Sequence, residues 1–385
     1  MSQISGSWVT DPQTQSVMAV LQGAGYRALF VGGCVRDALL GRPVADIDIA
    51  TDALPEMVVK LADAAGFKPV PTGIDHGTIT VVTRDRGFEV TTFRRDVETD
   101  GRRAVVAYSR DLADDARRRD LTINALYSEA DGTVIDPLGT GLSDLAKGIV
   151  RFIDEADARI QEDYLRILRF FRFYAWYGKT DQGPDPDALS AISDNLDGLA
   201  SVSLERITHE MLRLLAAPDP TPALAAMTAT GVLARVLPGA DPSGLGPLVN
   251  VEQTYSIAPD PIRRLSALGC PDVALRLRLS RRDERALAVL RAGIETLDRP
   301  QALGYKLGAQ HGLDVVLLRS ALAGTELLKR DLELVMRGSE AKMPISAADL
   351  MPAYRGGALG RKLAELEARW IASEFTLSRE ALLKD

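Results

Sequence analysis

Two carboxylates set two residues apart, Asp46 and Asp48, follow nine residues behind the stretch Gly32-Gly33-Cys34-Val35-Arg36-Asp37. In a strand, residues i and i+2 point to the same face. The pair would therefore hold two negative charges side by side, which repel unless a cation lies between them. A divalent metal meets that demand, and Mg²⁺ suits oxygen ligands shared with a substrate phosphate. Gly32 and Gly33 leave room for backbone N–H groups to approach such a phosphate. The combination points to nucleotidyl or phosphoryl transfer from a nucleoside triphosphate. A lone Asp-x-Asp is more often a solvated strand end; the glycines, Arg36 and Asp37 upstream shift the balance toward a metal. This is not a Walker phosphate loop, because no Gly-x-x-x-x-Gly-Lys-Ser/Thr occurs in the chain.

Two further constellations lie downstream. In Arg117-Arg118-Arg119-Asp120-Leu121-Thr122-Ile123-Asn124, three arginines stand beside an aspartate and an asparagine. Arginine forks suit triphosphate oxygens; a solvated helix start is the plainer alternative. The run passes straight into Ala125-Leu126-Tyr127, which places Arg119 to Asn124 at a core edge. The segment from Glu162 to Phe173 reads as helix, with Tyr164, Leu168, Phe171 and Ala175 as its apolar stripe. Asp163, Arg166, Arg169 and Arg172 step by three, each step turning about 60° around the helix. They spiral over the opposite half, interleaved with Leu165, Phe170 and Phe173, as in a cleft wall. Asp163 and Arg166 are helix neighbours. One accepts hydrogen bonds and the other donates them, so together they suit the edge of a base; an intrahelical ion pair is the other reading.

The elements that must carry these residues are legible in outline. Strands are expected at Arg27–Val31, Asp46–Ala50, Thr78–Thr83, Phe88–Thr92, Ala125–Ser128 and Val134–Ile135, with turns at Arg84–Gly87 and Asp131-Gly132. Pro55–Ala65 reads as a helix with Pro in its first turn and Gly66 past its end. Beyond about residue 155, Leu, Ala and Arg at helical spacing take over. The expectation is an α/β head of about 150 residues joined to an all-α remainder. Asp181–Asp187 and Pro218–Pro222 are loops, and Pro238–Gly246 is the better boundary candidate.

At 385 residues, two or more domains are expected. The net charge of −7 argues against a protein that coats nucleic acid through bulk charge, though not against a local basic strip. Arg276, Arg278, Arg281, Arg282 and Arg285 form such a strip, either for RNA backbone phosphates or as a solvated helix face. Cys34 and Cys270 cannot build a disulfide framework or a zinc site. His76, His209 and His311 are scattered, which disfavours histidine-based hydrolysis. With no secretory signal and no membrane-length apolar run, a cytoplasmic location is expected.

Gly-Gly-x-Val-Arg-Asp, Asp-x-Asp, Arg-Arg-Asp-Leu-Thr-Ile-Asn-Ala, Asp136-Pro137-Leu138-x-x-Gly141 and Glu-Asp-x-x-Arg-x-x-Arg occur in one order between residues 30 and 173. The chain resembles the class II tRNA nucleotidyltransferases, the bacterial CCA-adding enzyme and poly(A) polymerase family. Weaker similarity reaches Asp349-Leu350 and Trp370–Leu377 near the end.

The resemblance implies an α+β fold: a small mixed β-sheet nucleotidyltransferase head over 1–150, a helical neck over 151–240, and a helical body and tail over 241–385 that bind tRNA. It implies that Asp46 and Asp48 hold two catalytic Mg²⁺ ions, with Glu89 as a third acidic group. Gly33 and Arg36 would contact the nucleotide, and Arg119 would grip its triphosphate, with Asp120 and Asn124 on the sugar side. Asp163 and Arg166 would pair with the incoming base and select C or A, supported by Arg169 and Arg172. Asp136–Gly141 would be a hinge where head meets neck.

Residues 94–119, with eight arginines and six acids, resemble the family's flexible loop, but Arg102-Arg103-Ala104 stands where Arg-His-Pro is usual. The implied substrates are the tRNA 3′ end, CTP and ATP, with no membrane and no obligate protein partner. Rivals are a poly(A) polymerase, a CC- or A-adding enzyme, and a catalytically dead RNA-binding protein. The acidic composition weighs against poly(A) synthesis, and the intact Asp46, Asp48 and Arg36 weigh against a dead enzyme.

Overall fold

The computed structural model describes residues 2–100, 103–179 and 182–384. It divides into two compact units, Met1–Val236 and Leu237–Asp385.

The first unit is built on a mixed sheet. Its strands are β1 (Ala28–Val31), β2 (Asp48–Thr51), β3 (Lys68–Gly73), β4 (Thr78–Val82), β5 (Gly87–Thr92), β8 (Tyr127–Ser128) and β9 (Val134–Ile135). They lie in the order β3-β4-β5-β2-β1-β8-β9. The β2–β5 pair is parallel, and the other pairs are antiparallel. All four residues of β1 are buried, as expected of a central strand covered on both faces. Strand β3 carries Pro69 and Pro71 and was not expected; it sits at the sheet's edge, where proline costs no ladder bond. Residues 94–108, expected to be a loop, form a two-stranded ribbon of β6 (Arg94–Asp100) and β7 (Arg103–Tyr108). Arg102, where the chain departs from the usual motif, lies outside the described residues.

Helices cover this sheet and carry the cleft. They include α1 (Pro12–Gly23), α2 (Gly33–Leu39), α3 (Pro55–Ala64) and α4 (Leu112–Arg117), then α5 (Ala156–Glu162), α6 (Leu165–Tyr177) and α7 (Leu204–Leu215). The core joins Leu29, Val31 and Ala50 of the sheet to Phe93, Ala116, Tyr127 and Ile153. Two expectations need correction. Strand β2 begins at Asp48, so Asp46 precedes it, exposed. The helix expected to run unbroken through Asp163 does not: α5 ends at Glu162, Asp163 is extended, and α6 starts at Leu165. The Asp163 carboxylate accepts from the Leu165 N–H at 3.2 Å, the local bond by which aspartate competes with helix continuation.

The second unit is helical. Helices α8 (Leu245–Thr254), α9 (Pro261–Ala267), α10 (Arg281–Glu295), α11 (Pro300–Ala323), α12 (Lys329–Glu340) and α13 (Gly356–Ala372) are its main elements. Helices α11 and α12 approach so closely that a Cβ on Gly338 would lie 1.9 Å from the Gln301 carbonyl oxygen. A terminal cluster of Ile345, Leu350, Leu366, Trp370 and Leu382 closes the chain's last segment. Arg276, Arg278, Arg281, Arg282 and Arg285 are all exposed, on and before the first turns of α10. Among the described residues no helix is long and apolar enough to cross a membrane.

Candidate active site

The turn from β1 into α2 sets one wall of a cleft. Gly32 takes φ +71°, a conformation glycine adopts without strain. A Cβ there would also lie 3.4 Å from the Arg119 guanidinium. Its N–H donates to the Leu126 carbonyl at 2.9 Å, tying the turn to the strand entering β8. Arg36, one turn into α2, is buried. It forks onto Asp37 at 3.0 Å through both Nε and Nη2, donates to Asn124 Oδ1 at 2.6 Å and to Tyr177 Oη at 2.7 Å. A guanidinium has five N–H donors, so Arg36 is chiefly a keystone between α2, the 122–124 turn and α6.

Asp48 and Glu89 pair across parallel β2 and β5. Burial and the neighbouring Glu89 charge push the Asp48 carboxyl up to about 6; Arg119 opposes this and Asp46 adds to it. Asp48 thus stands beside Glu89 at the start of the strand layer, with the exposed Asp46 two residues before it. Oxygen donors with excess negative charge fit a hard divalent cation. Among the described residues no group of three or more His, Cys, Asp or Glu stands close enough to hold a metal by itself. Substrate oxygens would have to complete the coordination.

Arg119 follows the C-terminus of α4. It donates to Tyr127 Oη at 3.0 Å and to Asp115 Oδ2 at 3.1 Å. Burial works against its charge, but Tyr127 and Asp115 hold the guanidinium protonated. The three arginines therefore lie at a helix end, not at a helix start, and Arg118 also pairs with Asp115, at 2.7 Å. Asp120 is buried and accepts from Asn124 Nδ2 at 3.0 Å and from Arg169 Nε at 2.6 Å. Burial raises its pKa; Arg169 and Asn124 more than reverse that, and the group stays ionised. A continuous chain Arg36–Asn124–Asp120–Arg169 thus links the sheet side to α6.

Helix α6 forms the opposite wall. Asp163 and Arg166 both face the cleft, but they are not partners. Asp163 takes a two-pronged bond from Arg206 of α7, at 2.6 and 3.2 Å. Arg166 donates to Glu162 at 2.5 Å and to the carbonyls of Arg159 and Arg118 at 3.0 and 3.1 Å. Arg172 lies 2.7 Å from the buried Glu210 of α7. The cavity measures about 700 Å³, and Gly33, Arg36, Asp48, Arg119, Asp163 and Arg166 all line it. So do Asp120, Asn124, Arg169 and Arg172. Asp46 and Glu89 are not among its lining residues; Glu89 stands beside Asp48 in the sheet and Asp46 two residues before it. Arg276, Arg278, Arg281 and Arg282 lie in the other unit. Sequence reasoning missed Arg206, Arg213, Trp176 and Tyr177 as lining residues, and Asp136–Gly141 is a knotted turn, with Asp136 accepting from Gly139 and Leu142 at 3.0 Å each.

Residues 28–151 match the family model described as "Poly A polymerase head domain", and 184–243 match "Probable RNA and SrmB- binding site of polymerase A". The CCA-adding enzyme of Geobacillus thermodenitrificans is 42% identical over 229 residues, which is 59% of this chain and 54% of that protein. Over these stretches the chain is similar to CCA-adding enzymes and to the poly(A) polymerase head domain. Human mitochondrial CCA tRNA nucleotidyltransferase 1 is 46% identical over 185 residues, 48% of this chain and 42% of that one. The chain thus spans about half the length of the curated relatives it matches. The crystal structure of the Bacillus stearothermophilus CCA-adding enzyme in complex with CTP superposes with a TM-score of 0.71 at 28% identity, covering 94% of both chains. The Thermotoga maritima CCA-adding enzyme complexed with tRNA shares the fold, with a TM-score of 0.68 at 17% identity over 99% of this chain and 98% of that one.

Proposed function

We propose that this chain is a class II tRNA nucleotidyltransferase, a template-independent enzyme that adds or repairs the 3′-terminal CCA of tRNA from CTP and ATP, releasing pyrophosphate. One observation carries the reading. A single cleft has the crowded carboxylate Asp48 at its strand end and two separate hydrogen-bonding side chains, Asp163 and Arg166, on its helical wall. Transfer chemistry and base choice are thereby separated within one cavity. The names of the relatives support the choice of tRNA, CTP and ATP as substrates, since those proteins are CCA-adding enzymes and one was solved with CTP.

Asp46 and Asp48, with Glu89 beside them, would hold two Mg²⁺ ions. The chemistry such ions supply is activation of the RNA 3′-hydroxyl and neutralisation of charge on the leaving pyrophosphate. The protein's own residues do the rest. The Gly32–Gly33 turn admits phosphate to the backbone, and Arg119 is held protonated toward it. Asp120 and Asn124 fix the sugar side through the chain to Arg169. Asp163 offers an acceptor and Arg166 donors to the base edge once their present partners yield. The exposed arginines before and along α10 (Arg276, Arg278, Arg281, Arg282) would meet RNA backbone phosphates. A poly(A) polymerase would use the same catalytic residues, and the description of the matching head-domain family keeps that reading open.

The test is incubation with Mg²⁺, labelled CTP or ATP, and tRNA transcripts ending before CCA, after C or after CC. Two C then one A is the expected product; long A tails on any RNA would establish the polymerase instead.

A further inference from the structure

One end of the cleft, where α6 and α7 line it, carries arginines that the triphosphate reading does not use. Where α6 packs on α7, Arg169 and Arg172 approach a single carboxylate, Glu210, and Arg213 lines the cleft with them. Glu210 and Arg172 are 4% and 6% exposed. Arg172 Nε lies 2.7 Å from Glu210 Oε2, while Arg169 is 4.0 Å from Glu210 and committed to Asp120 at 2.6 Å. Among the described residues the Arg213 guanidinium meets only His209, at 3.4 Å. Among the described residues no acceptor hydrogen-bonds the terminal amino groups of Arg172, whose guanidinium lies 4.4 Å from the centre of the Phe173 ring. These donors open onto the cleft without a protein acceptor, so they are available to an oxyanion that the protein does not itself supply.

Trp176 stands beside these arginines and is held from two sides. Its indole N–H donates to the Arg213 carbonyl at 2.8 Å, and its own carbonyl accepts from Arg42 at 3.0 Å. The ring lines the cleft with Arg172, Arg213 and Ala216. Along α6, Trp176 stands ten residues beyond Arg166, about 15 Å at helical rise. Arg36, with its donors taken by Asp37, Asn124 and Tyr177, lies between this end and the Gly32–Gly33 turn. A fixed aromatic face next to paired cations is the arrangement that holds single-stranded nucleic acid, stacking a base and neutralising its phosphate.

We propose that Arg172, Arg213 and Trp176 form a subsite for the RNA strand, distinct from the triphosphate site. The two arginines bind a phosphodiester upstream of the reacting 3′ end, and the indole stacks a base of the same strand. This deepens the functional reading above and rests on it only for the identity of the strand.

The experiment uses the full chain with Arg213→Gln, Trp176→Leu and Trp176→Phe. Arg213 is exposed, so its loss should leave the melting temperature unchanged. Three affinities are measured: a labelled RNA minihelix ending in CC, CTP, and inorganic tripolyphosphate. Arg213→Gln should weaken the minihelix about tenfold and reduce the slope of log affinity against log salt by about 0.7. CTP and tripolyphosphate should bind as to the parent chain. Trp176→Leu should also weaken the minihelix, and Trp176→Phe should restore it. A loss of CTP or tripolyphosphate affinity with RNA binding intact would assign the arginines to the triphosphate and overturn the proposal. Unchanged affinity for all three would overturn it equally. Failure of the functional reading is separately visible, as a parent chain that binds the minihelix yet incorporates no nucleotide.

Discussion

Asp48 of β2 stands level with Glu89 of β5 in a parallel pair, so both carboxylates share one face of the sheet. That arrangement is costly without a cation. The carboxyl of Asp48 is pushed from 3.8 up to about 6 by burial, by Glu89 and by Asp46, against the pull of Arg119. Keeping it ionised at neutral pH costs of order 2 kcal/mol. Asp48→Asn should therefore raise the melting temperature in EDTA while reducing nucleotide incorporation by at least about a hundredfold. Mg²⁺ should stabilise the parent chain and not the variant. Thermal scans with and without Mg²⁺, beside the incorporation assay, read both effects; incorporation at the parent rate would remove Asp48 from the metal site.

Asp163 and Arg206 give a second prediction. Both oxygens of Asp163 are taken by Arg206, so a base can use this carboxylate only by displacing or sharing it. The pair is partly exposed, with about a quarter of each side chain accessible, and its stability value is about 0–1 kcal/mol. Arg206→Gln should barely change stability. It should shift the ratio of kcat/KM for CTP against ATP by about tenfold, because the orientation of the acceptor is lost. Arg206→Lys, which keeps the charge but not the fork, should fall between. An unchanged ratio in both variants would confine Arg206 to a structural role.

Much of this site is legible in the sequence because its chemistry demands particular residue types at short spacing. Asp46, Asp48, Arg119, Asp163 and Arg166 stand out since carboxylates and arginines set in apolar runs need partners. Arg206, Glu210 and Arg213 do not stand out. Each is one charged residue on an amphipathic helix, and only the packing of α7 on α6 turns them inward. The break at Asp163 is hidden because apolar periodicity continues across it, while the competing local bond to Leu165 leaves no periodic trace. Strand β3 is masked by its prolines, which speak against a strand unless its edge position is known. The loop expected over the β6–β7 ribbon came from the family resemblance, whereas the apolar run Ala104–Tyr108 in β7 is itself a strand signal. The fold's layout was readable from the loss of β-branched runs after residue 155; the β2–β5 parallel pairing, which joins Glu89 to Asp48, was not.

The Asp115 network predicts an acid limit for the first unit. Burial acts to raise the Asp115 pKa, but Arg119, Arg118 and the Tyr127 hydroxyl overcome it and bring the group down to about 2. A carboxylate with a depressed folded-state pKa contributes stability above its unfolded value, near 3.8, and loses it as pH falls toward the folded one. The contribution is of order 2 kcal/mol at neutral pH and should vanish between about pH 4 and pH 2. Asp115→Asn should therefore be less stable than the parent at pH 6, with the gap closing as pH drops through that window. Urea unfolding at pH 6, 4 and 2.5 tests the sign; a gap that widens with acid would contradict the assignment.

The second unit rests on a buried ionic cluster that offers a sharper test. Glu252 accepts from Arg263 Nε and Arg264 Nε, both at 2.9 Å, and again from Arg264 Nη2 at 2.6 Å. Arg263 also donates to Asp314 Oδ1 at 2.7 Å. All four side chains are almost wholly buried. Attraction in such a site only offsets the cost of removing the charges from water, so the cluster is weak evidence of stability. Deleting one member, however, strands the others. Glu252→Gln leaves two buried guanidiniums facing one remaining carboxylate, Asp314, and should cost about 3–5 kcal/mol. Trp370 is the second unit's one tryptophan, the others being Trp8 and Trp176. In a Trp8→Phe, Trp176→Phe background its fluorescence follows the unfolding of that unit. A loss below about 1 kcal/mol for Glu252→Gln would mean that water reaches the cluster and screens it.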